Sequence, residues 1–340
     1  MAAAQTSYAP VAPGRPLRFP EDTGSHPAFR TEWWYVTGWL NTADGEPLGF
    51  QITFFRSKPD IDGSNPSAFT PQQLMIAHCA LSDPKRGRLW QDQRIRRAGL
   101  GLAGADVGNT HAWIEGWSLQ RQGAVYSAKI AAEDFAFDLT LSETQPPLIN
   151  GEGGFSRKGP GENAASYYYS LPHLRVAGSI SRQGASSRVS GEAWFDHEWS
   201  SEYLDAQATG WDWIGIDLDG GGALMAFQIR GLDGKPRWAG GSLRSADGTT
   251  QILRPGDVEF RPTRRWTSPR SGVSYPVQWT VRTGSREFAL SPLLDDQEND
   301  TRLSTGAIYW EGAVRASEHN TEVGRGYLEL TGYGERLRLR

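Results

Sequence analysis

"WYVTGWLNTADGEPLGFQI", residues 34–52, and "WDWIGIDLDGGGALMAFQI", residues 211–229, align without a gap. Trp34 falls on Trp211, Gly38 on Gly215, Gly45 on Gly222 and Phe50 on Phe227, each pair 177 residues apart (211 less 34, 227 less 50). Each stretch is an apolar aromatic run, a turn rich in Asp and Gly, and a second apolar run, the pattern of a β-hairpin. Self-similarity at this spacing predicts two related β-barrel or sheet units, each opening with the same hairpin. The Gly/Ser/Arg-rich stretch "SRQGASSRVS", residues 181–190, is the expected divide. We therefore expect a flexible segment 1–18, a first domain at 19–185 and a second at 186–340.

Outward from these hairpins, strand-like runs recur with turn signals between them: "QLMIAHCAL", "AWIEGWSLQ", "FAFDLTLSE", "SGEAWFDHEW", "VQWTVRT", "GAIYWEGAVR" and "GYLELTGY". One short helix is expected, opening at "TPQQLM". The chain has 40 Gly, 20 Pro, 14 Trp, 13 Phe and 11 Tyr against three Met. Gly supplies turn geometry and flat rings pack well on pleated surfaces, so the chain reads as all-β. No run approaches the roughly 18 apolar residues that span a bilayer as a helix. A net charge of −4 gives no electrostatic reason to bind nucleic acid. The single Cys79 is expected to be a buried filler and excludes an intramolecular disulfide. The opening "MAAAQ" resembles what remains around a small-residue cleavage site, so a removed signal peptide and a periplasmic or secreted location are expected.

Several chemistries lack their signature. "GLGLAG", residues 99–104, has the spacing of a dinucleotide-binding loop but neither the strand before it nor the helix after it. There is no nucleophile elbow, P-loop or zincin motif, and six scattered His with no H-x-H or C-x-x-C spacing give no reason to expect a metal.

The sequence "EAWFDHEWSSE", residues 192–202, is richer. Strand alternation puts Phe195, His197 and Trp199 on one face and Trp194, Asp196 and Glu198 on the other. An imidazole between two rings suits the wall of a small-molecule pocket, while Asp196 and Glu198 also suit a solvated face. In "TEWWYVTGW" both faces are aromatic, which predicts a strand buried on both sides and a Glu32 in need of a partner or a proton. In "GWDWIGIDL", Trp211, Trp213, Gly215 and Asp217 share a face, and "YWEGAV" sets Glu311 opposite Trp310 and Gly312. Tyr203 follows just past the His strand.

Together "SHPAFRTEWWYVTGWL", "GFQITFFR", "WFDHEW", "GWDWIGIDL", "YWEGAV" and "GYLELTGY" resemble the AttH-like, lipocalin-like family that includes the carotenoid 1,2-hydratases (hydroxyneurosporene synthase). The resemblance covers nearly the whole chain from about residue 20. It implies two tandem lipocalin-like antiparallel β-barrels and addition of water to a C=C bond of an isoprenoid or other hydrophobic substrate, without a cofactor. The family's functional His and Trp fall on His197 and Trp199. The expected catalytic set is then His197 with a protonated carboxyl from Asp217, Asp196 or Glu32. The expected substrate-binding set is Trp199, Trp211, Trp213, Trp34, Phe195 and Tyr203. A carrier that only binds a lipid or isoprenoid, or a hydrolase of small hydrophobic esters, would use the same lining. A carrier, however, has no need of an imidazole and an acid converging on its ligand.

Overall fold

The computed structural model describes residues 7–61, 70–161 and 163–336. Two antiparallel sheets account for the architecture, and the described residues contain no α-helix. The helix expected at "TPQQLM" is absent: Leu74 instead opens the strand Leu74–Asp83, whose apolar side chains are drawn into the core. Among the described residues no helix is long and apolar enough to cross a membrane.

In the first sheet of thirteen strands, Thr31–Thr42 lies between its hairpin partner Pro47–Ser57 and the late strand Ala185–Ser200. Leu74–Asp83 and Arg88–Arg97 continue one side, and Ala165–Arg182 and Phe135–Ser142 continue the other. The sheet curls until His111–Ile114 packs against Leu74–Asp83 and Arg88–Arg97, which gives a nearly closed barrel. The second sheet, of ten strands, repeats this plan. Ala208–Leu218 sits between its own hairpin partner Ala223–Gly231 and the late strand Thr321–Leu330. In both sheets the first strand is thus the seam to which the last strand returns.

The plan repeats, but the ungapped offset of 177 does not hold side chain by side chain. Trp34, Val36 and Phe50 point into the core of the first sheet, whereas Trp211, Trp213 and Phe227 pack between the two sheets. Ile214, Ile216 and Leu218 fill the second core instead. Because side chains alternate along a strand, a shift of one residue exchanges the two faces. The pairing places the repeat at an offset of 176 instead: Leu40 faces Leu48 in one hairpin, and Ile216 faces Leu224 in the other.

The strand Ala185–Ser200 pairs along its length with Thr31–Thr42 and Ala165–Arg182. The chain therefore passes from the first sheet to the second at residues 201–207, later than a divide at 185/186. "SRQGASSRVS" is a hairpin turn and its flanks, with Gln183 and Gly184 at positive φ. Residues 7–18 form no strand, yet they are tied down rather than loose. Ala9 N donates to Ala28 O at 2.9 Å, Tyr167 Oη donates to Ala12 O at 2.9 Å, and Arg15 pairs with Asp22 at 2.6 Å. Residues 1–6 lie outside the described residues. Cys79 is a buried free thiol.

Between the sheets lies a third apolar cluster that includes Tyr35, Trp39, Tyr168, Trp194, Trp213 and Tyr327. Trp39 Nε1 crosses the junction to donate to Gly326 O at 3.0 Å. Gly49 sits where the sheets touch: a Cβ there would lie 2.7 Å from both Ala313 Cβ and Tyr327 Oη. Gly49→Val should therefore wedge the sheets apart and lower stability by about 1–3 kcal/mol in urea denaturation. An unchanged midpoint would show that the sheets are not tightly docked at this point.

A candidate active site between the two sheets

A cavity of about 820 Å³ opens at one end of this junction, a size suited to a single organic ligand. The first sheet supplies Trp33, Tyr35, Phe55, Ile76, His78, Tyr168, Asp196 and Glu198 to its wall. Tyr203 comes from the connection between sheets, and the second sheet adds Trp211, Trp213, Tyr309, Glu311 and Glu329. Rings and acids stand side by side on this wall because register partners on adjacent strands share a face: Trp33 faces Glu198, and Tyr35 faces Asp196.

Of the carboxyls in the lining, burial pushes four upward: Asp196, Glu198, Glu311 and Glu329. Asp196 reaches about 7 despite accepting from Tyr168 Oη at 2.6 Å, Ser170 Oγ at 2.5 Å and Trp194 Nε1 at 2.6 Å. Trp213 Nε1 in turn donates to Tyr168 Oη at 3.0 Å, which fixes the direction of that chain. Glu198 is raised by burial, with Lys158 2.8 Å away partly offsetting it. Glu329, raised to about 7 by burial, accepts from Trp211 Nε1 at 2.8 Å. Glu311 is held well above the usual carboxylate range by burial and by the neighbouring charge of Glu329. Desolvation without a compensating cation favours the neutral acid, so this wall stores protons near neutral pH.

His78 also lines the cavity, and burial lowers it to about 3, so it is neutral. Ser304 Oγ donates to Gln93 Oε1 at 2.6 Å, which leaves its lone pair for His78 Nε2–H at 2.9 Å. His78 Nδ1 then accepts from Tyr309 Oη at 3.0 Å.

The structure divides the residues singled out in the sequence. Asp196, Trp211, Trp213, Tyr203 and Glu32 line the cavity. His197, Trp199, Phe195 and Trp34 do not: they face the filled interior of the first barrel, each buried to 0% exposure. The alternation of "WFDHEW" is as expected, but the His197 face meets the barrel core, and the Asp196 face, for which a solvated setting was the alternative, meets the cavity. Asp217 lies at the hairpin end of Ala208–Leu218, away from the cavity lining. Burial raises it to about 7, and its Oδ1 accepts from His173 N at 2.8 Å, securing a bulge where His173 has φ 54°.

His197 belongs to an ion network centred on Glu32. Burial would raise Glu32, but Arg56 at 2.8 Å, with His197 at 3.0 Å and His26 at 2.6 Å, holds it well below its ordinary value. His26 places both ring nitrogens against carboxylates, Glu32 and Asp22, which outweighs burial and raises it; it is an imidazolium. His197, lowered by burial, donates Nε2–H to Glu32 and accepts from Tyr169 Oη at Nδ1, 3.2 Å away. Trp199 stacks on His26 with centroids 3.7 Å apart and planes 7° apart. The cation that Trp199 faces is thus the protein's own His26. Ligand atoms of His26, Glu32 and His197 lie within 4.8 Å of one another, a spacing that could hold a metal ion. Each of these atoms is already hydrogen-bonded, and Arg56 supplies the positive charge, so the trio is better described as an ion network.

Glu329, Tyr168, Tyr35 and His78 were not singled out from the sequence as site residues. Glu198 and Glu311 were placed on a face by the alternation of "WFDHEW" and "YWEGAV", which does not say which face is enclosed.

Two repeated antiparallel sheets with an acid-lined aromatic cavity between them define a lipocalin-like tandem β protein. The chain belongs to the AttH-like family, whose model matches residues 10–333. A crystal structure of a Nitrosomonas europaea protein described as an AttH superposes with a TM-score of 0.90 at 54% identity, covering 96% of this chain and 99% of that one. Kievitone hydratase from Nectria haematococca shares the fold, with a TM-score of 0.73 at 15% identity over 97% of both chains. Dehydratase asqC of Emericella nidulans is 27% identical over 183 residues, 50% of this chain, and the match spans 48% of that relative's length.

Two outcomes follow. Glu32→Gln strands Arg56 as an unpaired buried guanidinium and should cost about 3–5 kcal/mol in chemical denaturation; a loss under 1 kcal/mol would show that Glu32 does not hold the network. Asp196 keeps its proton in the folded state up to about pH 7, whereas the unfolded chain releases it near pH 4. Its contribution is full below about pH 4 and is lost as pH rises toward 7. Asp196→Asn should flatten the stability–pH curve over that window by up to roughly 1.4 kcal/mol per pH unit.

Proposed function

We propose that the protein adds water to a C=C bond of a neutral hydrophobic small molecule bound between the sheets, or removes water from the alcohol to form that bond, an isoprenoid being one such substrate. The observation that carries this reading is Asp196: a carboxyl held protonated to about pH 7, anchored by three donors and open to an aromatic cavity. In hydration the alkene π pair takes the Asp196 proton and forms a C–H bond, leaving a carbocation on the more substituted carbon. A water lone pair closes on that carbon, and the water's surplus proton passes to a carboxylate. Atoms and charge balance as the addition of one H2O.

The rings of Trp211, Trp213 and Tyr168 flank the same space, and each desolvated ring facing a cation contributes about 0.5–2 kcal/mol. The hydratase and dehydratase names of two relatives support the same reaction class. The acid-rich wall disfavours an anionic substrate.

The test is incubation with a panel of acyclic terpenes and carotenoids in ¹⁸O-labelled water, followed by mass spectrometry. Labelled alcohol should form with the wild type and fall at least ~10²-fold with Asp196→Asn. His197→Ala should lose stability while the remaining folded protein keeps its chemistry. Substrates retained but unchanged by the wild type would instead support a carrier.

A further inference from the structure

Glu311 and Glu329 are cross-strand partners in the pairing of Ala307–Glu318 with Thr321–Leu330. Direct partners project to the same face with Cβ atoms roughly 4.5–5.5 Å apart, where two ionised carboxylates would repel. Both line the cavity on the wall opposite Asp196, and neither forms an ion pair with Lys, Arg or His among the described residues. Arg56, the cation on the first sheet's side, is committed to Glu32. Tyr35, Tyr309 and Tyr327 surround Glu311, while Trp211, Tyr203, Asp196 and Glu198 are the groups acting on Glu329. Arg336, the other cation in the lining, donates to Ala206 O, and His78 is engaged by Tyr309 and Ser304, so within ion-pair distance the pair meets only hydroxyls, indoles and further acids.

The two members differ. Glu311 is 2% exposed, and Glu329 is partly open where it meets the cavity. Glu311 Oε1 and the Tyr35 Oη beside it are buried without closing a hydrogen bond of good geometry among the described residues. Tyr309, whose O–H is directed to His78 Nδ1, can only accept from Glu311, which favours Glu311 as the proton holder.

We infer that Glu311 and Glu329 work as one acid–base unit that holds a single proton and handles the water, across the cavity from Asp196. For its catalytic meaning the unit rests on the hydration reading above; the shared proton does not. During hydration Glu329 accepts the proton released when water bonds to the carbocation, while Glu311 keeps its own. In the reverse direction the neutral pair returns that proton to the leaving hydroxyl, the C–O bond breaks with its electrons on the departing water, and Asp196 takes the C–H proton. Like charges in contact cannot both ionise near neutrality, so the pair resists losing its last proton.

The test begins without substrate, by difference infrared titration of the carboxylic C=O stretch in the wild type, Glu311→Gln and Glu329→Gln. Both substitutions remove a buried acid rather than create a charge, so folding is retained. In the wild type the pair should give two separated steps, the first near pH 7 and the second well above it, read against the Asp196 and Asp217 steps that every form shares. Glu311→Gln should keep only the lower step, since Glu329 already titrates beside a neutral partner, and Glu329→Gln should leave one step below the upper one, since the neighbouring charge is gone. An upper step unmoved by Glu329→Gln would overturn the shared proton whatever the reaction. In the ¹⁸O assay Glu329→Gln should lose at least ~10²-fold in labelled product while still retaining ligand; full turnover in that variant would make the pair structural. If the wild type converts nothing, the hydration reading fails, and the titration still decides whether the proton is shared.

Discussion

Period-two alternation along Ala185–Ser200 is the constraint on which the rest of the molecule depends. One face of this strand carries Phe195, His197 and Trp199 into the barrel, and the other carries Trp194, Asp196 and Glu198 to the junction between sheets. A single residue of slip would exchange the two sets, sending the acids into the hydrocarbon core and the imidazole into the cavity. The pairing of His197 with Glu32 guards against that slip. Glu32 sits on the neighbouring strand with Arg56 and His26 already bonded to it, and only an inward His197 can reach Glu32. The ion network therefore fixes the register that delivers Asp196 to the opposite side.

The two faces use charge in opposite ways. Inside the barrel every ionised group has a partner: Arg56 and His26 meet Glu32, and Arg15 meets Asp22. Such pairing satisfies buried charge and favours the ionised forms. At the junction Glu198 has Lys158, but Asp196, Glu311 and Glu329 have only dipoles. Carboxyls left without a counter-ion stay neutral, which makes them donors of protons rather than holders of charge. A cavity that destabilises its own carboxylates is a poor design for stability and a suitable one for acid chemistry.

Much of the fold was legible because turns and alternating aromatic runs are local signals. The repeated hairpin located both first strands, and each does occupy the seam of its sheet. Two things were not legible. The superposition of Trp34 on Trp211 matched identities but crossed faces, since the two hairpins pair at an offset of 176, one residue from that alignment, and rings stand on both faces of each first strand. The inside of "WFDHEW" was also undecidable, because both of its faces carry Trp beside ionisable groups, and enclosure is set by the second sheet. His26, which explains Trp199 better than any ligand does, comes from an irregular segment where no periodicity operates. Glu311 was visible in "YWEGAV", yet only its pairing with Glu329, eighteen residues on in the adjacent strand, gives it meaning.

A cavity formed by docking has no wall that belongs to it alone. Its two halves are the outer surfaces of separately cored sheets, brought to their separation by Trp39 on Gly326 and by the bare backbone of Gly49 against Ala313 and Tyr327. The cavity's width is then set by how these contacts seat the two sheets, at a distance from the lining. Ligand size can therefore be tuned from residues that no ligand touches.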